Sequence, residues 1–290
     1  MKQKNILRSV TSPFILLLTV VIFVSSLSYV GYRLIRHERN QNDLIIQLKG
    51  KIASLEKLVE QQQGKVASLE KDVGFLKNTL PAKWTNAGFN YLAIGNSITC
   101  HGITDFWWNE AGMAATTKEK DFVHLVAAGV KKSGGGKTNV HVYNFYIWEA
   151  QAHDRAESLM LLDKYLDKRI NLVTIQLSEN VTDLSSLKKD YIELIRYVKR
   201  RVPKAKIIII DDFWDKGEKS AIKEQVAYME GVPFVSLKPI KEDATYRCGL
   251  GTIVYDNNGT PHIVEHEGVA NHPGDKGMEY IANAVLEVLN

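Results

Sequence analysis

The alternation of apolar and polar residues divides the chain into three stretches. From Phe14 to Tyr32 (FILLLTVVIFVSSLSYVGY), 19 consecutive residues carry no formal charge. A helix needs about 20 mainly apolar residues to cross the hydrocarbon core of a bilayer, so this run predicts a transmembrane helix over 14–32, after a basic tail over 1–13. A cleaved signal peptide fits less well, because its apolar core is usually about 7–15 residues and no Ala-x-Ala site comes after the run. Lys2, Lys4 and Arg8 precede the run and Arg33, Arg36 and Arg39 come after it, so flanking charge does not orient the span.

Over 40–80 the pattern changes to heptads. With Ile45 at position a, the residues Ile52, Val59, Val66, Val73 and Leu80 also fall on a, while Leu48, Leu55, Leu69 and Leu76 fall on d and Gln62 is the single polar d residue. Such a seam predicts a coiled coil, and β-branched residues at a with leucine at d favour a parallel dimer through residues 45–80. The g-to-e pairs Lys51–Glu56, Lys65–Glu70 and Asp72–Lys77 are all of opposite sign, which suits the same register. At ~1.5 Å per residue the stalk would span on the order of 50 Å. Pro81 ends it, and 81–88 reads as a linker.

From 89 to 290 apolar runs alternate with helical patterns. The strands expected are Asn90–Ile94, Asn139–Phe145, Leu172–Leu177, Lys206–Ile210 and Pro233–Val235. The helices expected are Phe122–Lys132, Ala156–Arg169, Leu184–Arg201, Ala221–Met229 and Gly277–Leu289. Strands alternating with helices imply right-handed crossovers and an α/β fold with a central parallel sheet, whose site lies at the carboxyl ends of the strands.

Composition changes this picture little. Charged residues are 24% and hydrophobic residues 45% of the 290, ordinary for a globular protein. The net charge of +4 is small and gathered near the N-terminus, so nucleic acid is not an expected partner. Two cysteines, Cys100 and Cys248, exclude a disulfide-rich scaffold and leave room for one internal bridge.

The candidate chemistry sits just after the strands. Gly95-Asn96-Ser97 places a serine at a strand-to-loop turn, where its hydroxyl is exposed and its N–H can help hold an oxyanion, or where it simply caps the next helix. Asn180, in QLSEN, is a side-chain amide able to donate to developing negative charge, or a turn asparagine. His272, before Pro273 and ahead of the last helical pattern, is a candidate general base for Ser97, or a surface histidine. Trp107, Trp108 and Trp148 come after the strands and could form a sugar-stacking wall or core. SGGGKT (133–138) lacks the spacing of a phosphate loop and precedes a strand instead of coming after one. His262, Glu265, His266, Glu267 and His272 lie close in sequence, but no HExxH or cysteine-pair spacing marks a metal site there.

The order Gly95-Asn96-Ser97, then Ser178-Glu179-Asn180, then Val269-Ala270-Asn271-His272-Pro273 before a closing helix resembles the SGNH or GDSL hydrolase family over nearly all of residues 90–290. Asn109 to Val126 also looks like a subgroup of its bacterial members. The resemblance implies a flavodoxin-like three-layer α/β/α domain and acyl-ester chemistry without metal or cofactor. It also implies Ser97 as nucleophile, His272 as base, and the Ser97 N–H with the Asn180 amide as oxyanion donors. The chain departs from the family pattern at four places. Asn96 stands for the usual aspartate, Ser178 for a glycine, and Glu149 falls near the place of the second-block glycine. Val269 stands where the acid is expected, which leaves Glu267, Asp211, Asp212 or a backbone carbonyl to orient His272. Taken together, the expectation is a single-pass cell-membrane protein, C-terminal domain outside, that works as an esterase or O-acetyltransferase on an acylated carbohydrate. Glu149, Trp107, Trp108 and Trp148 are candidates for substrate contact. The alternative is an inactive glycan- or partner-binding scaffold dimerised by its stalk.

Overall fold

A computed structural model describes residues 18–28, 48–63, 65, 81–151 and 155–289. The chain divides into two compact units, 1–80 and 81–290. In the first unit the described residues form two helices, 18–28 and 48–63. Ser25, Ser26 and Ser28 return their hydroxyls to the carbonyls of Val21, Ile22 and Val24, which satisfies these polar groups within the helix. In the second helix Leu48, Ile52, Leu55, Val59 and Gln62, the a and d residues of the heptads, are the less exposed positions. Val21, Val24 and Ser25 line one groove with Glu56, Val59 and Gln63, so the two helices lie side by side. Among the described residues no helix is long and apolar enough to cross a membrane. The rest of the 14–32 run, Ile45 and the heptads from Val66 to Leu80 lie outside the described residues.

The second unit is built on five parallel strands: β1 (Phe89–Gly95), β2 (Thr138–Asn144), β3 (Leu172–Gln176), β4 (Lys206–Ile210) and β5 (Phe234–Val235). Their order is β2-β1-β3-β4-β5, that of a flavodoxin-like doubly wound sheet, with the switch point between β1 and β3. Because side chains alternate along a strand, each strand feeds two cores. Leu92, Ile94, Val173, Ile175, Ile207 and Ile209 face one side, against α3 (Leu187–Arg201) and α4 (Glu218–Glu230). Tyr91, Ala93, Leu172, Ile208 and Ile210 face the other, against α1 (Phe122–Val130) and α6 (Asp275–Leu289). Two short helices complete the frame of the site, α2 (Tyr146–Ala150) and α5 (Glu267–Ala270).

The strands fall within a residue or so of their expected places. The helix expected over Ala156–Arg169 does not form. Arg155–Ser158 is one turn, and Leu159–Leu162 is a 3-10 turn. Leu159 and Leu162 are buried three residues apart, a spacing that a 3-10 turn stacks on one face. The Arg155 guanidinium, also buried, is held by the Trp148 carbonyl and Asp190. The sequence pattern did not predict the antiparallel hairpin β6 (Ile253–Tyr255) and β7 (Pro261–Ile263). The glycine-rich 133–138 segment forms the turn between α1 and β2, with Gly134 and Gly136 at positive φ. Cys100 and Cys248 are free thiols.

Candidate active site

The turn after β1 leaves little choice of residue. A Cβ on Gly95 would lie 1.9 Å from Thr99 Oγ1 and 2.8 Å from the Gln176 carbonyl, so only glycine lets the strand end this close to its neighbours. Asn96 then closes the turn. Its carbonyl accepts from the N–H groups of Thr99 and Cys100, and its side-chain oxygen accepts from Ile98 N–H at 3.1 Å. Ser97 sits on this turn, half-buried, and its carbonyl accepts from Met113 N–H.

His272 arrives from the other end of the chain, between α5 and α6. Its Nε2 is 2.8 Å from Ser97 Oγ, and its Nδ1 is 2.6 Å from the carbonyl of Gly268. A carbonyl only accepts, so Nδ1 carries the proton and Nε2 offers its lone pair to the serine hydroxyl. Burial pushes His272 down to about 4, against the Gly268 bond, which raises it; His101 and His266 lower it further. Trp214 packs its ring edge-on to the imidazole at 4.7 Å and donates its indole N–H to the Asn271 carbonyl.

Of the four groups open for orienting His272, the one bonded to its Nδ1 is a backbone carbonyl. Glu267 is exposed, and the nitrogen it would have held is bonded to Gly268 O. The fold turns the 267–270 segment into a single helical turn, which points a carbonyl, not a carboxylate, at His272. Asp211 and Asp212 are occupied elsewhere. Asp211 accepts from the N–H groups of Asp212 and Leu237 and pairs with Lys241, while Asp212 accepts from Ser178 Oγ and Lys223.

Glu149, on α2 after β2, is 3% exposed and faces inward. Its carboxylate accepts from Asn96 Nδ2 at 3.0 Å, Ser178 N–H at 2.6 Å and Asn180 Nδ2 at 2.6 Å. Burial raises its pKa and the three donors oppose the rise. Ser178 has φ 102, the region that favours glycine, and is held there from both sides, by Glu149 on its N–H and by Asp212 on its hydroxyl. Beneath this loop Lys223 bonds the Leu177 carbonyl and Asp212, with both charged side chains fully buried. Burial opposes the charge on Lys223, but Asp212 and the other anions around it hold the ammonium protonated. Burial and the Asp212 charge push Glu179 up.

The chain matches no protein-family model and no curated protein. Among solved structures it is similar to a two-domain esterase active on acetylated mannans, with 16% identity, a TM-score of 0.44, and coverage of 69% of this chain and 49% of that one. The chain thus spans about half the length of that esterase. It is also similar to an extracellular lipase from Streptomyces rimosus, at 15% identity and TM-score 0.43, covering 70% of this chain and 100% of that one. An acetyl xylan esterase from Geobacillus stearothermophilus gives 15% identity and TM-score 0.43, with 70% and 95% covered.

Of the residues singled out in the sequence, Ser97 and His272 are bonded to each other and Asn180 is bonded to Glu149, which also bonds Asn96, the neighbour of Ser97 in the chain. Trp107 and Trp148 are fully buried and belong to the cores, so neither offers a face to a sugar. Trp148 meets Tyr191 edge-on at 5.4 Å. Trp108 keeps partial exposure and stacks on His262 at 4.5 Å. Sequence reasoning missed Trp214. Its position just after β4 was the available signal, since sites of such sheets gather there.

Proposed function

We propose that the chain is a membrane-anchored serine esterase or O-acyltransferase. Its substrates would be acyl esters, acetyl above all, of a cell-surface polysaccharide or wall glycan. The single observation that carries the chemistry is the line Ser97 Oγ, His272 Nε2, His272 Nδ1, Gly268 carbonyl. Ser97 attacks the ester carbonyl as its proton passes to Nε2. The imidazolium then gives that proton to the departing alcohol, leaving an acetyl group on Ser97. The negative charge on the carbonyl oxygen is met by the Ser97 N–H and by the Asn180 amide, which has a second N–H beyond the one given to Glu149. Water or a sugar hydroxyl then takes the acetyl group, which gives hydrolysis or transfer. The SGNH-like order of motifs supports the ester class, and the apolar run at 14–32 supports the anchor; the external placement of the domain rests on the glycan substrate proposed here.

A second proposal, an inactive glycan- or partner-binding scaffold, is favoured by one observation: a carbonyl rather than a carboxylate holds Nδ1 of His272. Turnover of p-nitrophenyl acetate by the full chain separates the two. The enzyme loses on the order of 10³-fold or more of kcat in Ser97→Ala and in His272→Ala. Equal rates in all three proteins would reject the nucleophile and base.

A further inference from the structure

Among the described residues, Glu149 is a buried carboxylate with no cationic partner in direct contact. Its three hydrogen-bond partners are all donors, Asn96 Nδ2 and Ser178 N–H on Oε1 and Asn180 Nδ2 on Oε2. Three donors and no acceptor partner favour the ionised carboxylate, against the burial that raises its pKa, and the two bonds of 2.6 Å are short even for charge-assisted bonds. Leaving such a charge buried without partners is costly, so the three donors are what make it tolerable. They come from two segments. Asn96 belongs to the turn that carries Ser97, while Ser178 and Asn180 belong to the loop after β3. One carboxylate therefore ties the turn of the nucleophile to the loop of the oxyanion donor.

This geometry joins two departures from the family pattern that look unrelated in sequence. An aspartate at position 96 would set a second carboxylate about 3.0 Å from Glu149, where like charges oppose each other. Asparagine removes the conflict. Its Oδ1 still closes the turn on Ile98 N–H while its Nδ2 donates to Glu149. The amide at 96 and the acid at 149 are thus a matched pair.

We infer that Glu149 is a positioning residue: it holds one N–H of the Asn180 amide so that the other meets the reacting carbonyl oxygen, and Asn96 is its charge-matched partner. This rests on the ester chemistry proposed above. The test uses the full chain, with p-nitrophenyl acetate kinetics and thermal melting read side by side. Glu149→Gln sets an N–H against one of the three donors. The expected result is a kcat about 10²-fold lower with KM within about 2-fold, the size of losing one oxyanion donor. In an Asn180→Ala background the same substitution costs little more, because the group it positions is gone. An equal loss in both backgrounds, or a change in KM alone, overturns the inference. Asn96→Asp is expected to lower both kcat and the melting temperature. Adding Glu149→Gln is expected to restore much of each, since the amide introduced at 149 can donate to the carboxylate introduced at 96. A double variant no better than Asn96→Asp alone overturns the pairing. The melting comparison needs no turnover. A Ser97→Ala chain that kept its activity would therefore remove the enzyme proposal while the pairing was still judged on melting.

Discussion

His272 is kept neutral by its surroundings, and that fixes how the site should respond to acid. Buried against Trp214 and bonded through Nδ1 to a carbonyl, it is pushed down to about 4 from the usual ~6.5. In the proposed mechanism the neutral form is the one that accepts the Ser97 proton. The acid limb of kcat/KM is therefore expected near pH 4, and a limb near 6.5 in a pH–rate profile would contradict this environment. Stability has the same sign. Above pH 6.5 neither folded nor unfolded chain protonates this histidine. As pH falls from 6.5 to 4 the unfolded chain binds a proton that the folded one refuses. Stability is lost over that window, by up to about 3 kcal/mol. Denaturant midpoints across that range, compared with His272→Ala, isolate the contribution. A second expectation concerns Glu267. Its carboxylate is exposed and Nδ1 of His272 belongs to Gly268, so Glu267→Gln should change kcat by less than about 2-fold. A loss of 10²-fold or more would return the acid role to Glu267.

At the scale of elements, the site depends on how tightly β1, β3 and the loops after them meet. Gly95→Ala places a methyl 1.9 Å from Thr99 Oγ1 and 2.8 Å from a β3 carbonyl, so the turn bearing Ser97 must shift. Overpacking of this kind costs about 1–3 kcal/mol, and urea unfolding should show a lower midpoint with kcat reduced as well. Lys223→Met leaves Asp212 buried without its cation, expected to cost about 3–5 kcal/mol. The double variant with Asp212→Asn should recover part of that loss, and a double variant no more stable than Lys223→Met would deny the pair its role. These features also show what the sequence could and could not reveal. The strands were legible because apolar runs such as Ile207–Ile210 are buried on both faces of a parallel sheet. The hairpin β6–β7 has strands of three residues, too short to show a period, although Asn258-Gly259 was a turn signal in plain view. Ser97 and His272 were legible because residue identity and motif order mark them. The Gly268 carbonyl was not, since every residue has one and only the fold decides which points at the imidazole. In the sequence Glu149 was visible only as a departure near the place of a family glycine. Only the distances show that its partners are all donors.

At the scale of the whole molecule, the stretch before residue 81 has two apolar stripes that need cover. One is the run 14–32, long enough in sequence for a bilayer. The other is the a/d seam, whose residues Leu48, Ile52, Leu55, Val59 and Gln62 share one face of the helix 48–63. In the single chain Val21 and Val24 line a groove with Val59, while Leu18, Ile22 and Phe23 stay exposed. A bilayer would take up the first stripe and a second copy the seam, and the hydrophobic effect would then favour exchanging one contact for two larger ones. A membrane-anchored parallel dimer, the arrangement the sequence leads one to expect, makes two linked predictions. Alkaline carbonate should fail to extract the full chain from membranes. In those membranes Leu55→Cys, at a d position, should cross-link chain to chain on mild oxidation, because equivalent d residues meet across a parallel seam. Ser54→Cys, one position earlier on an exposed face, and the unsubstituted chain should not. Cross-linking equal at 54 and 55 would mean chance collision rather than a seam. Extraction by carbonate together with no cross-link at 55 would mean that the two helices cover each other in the working protein, and that neither anchor nor stalk exists.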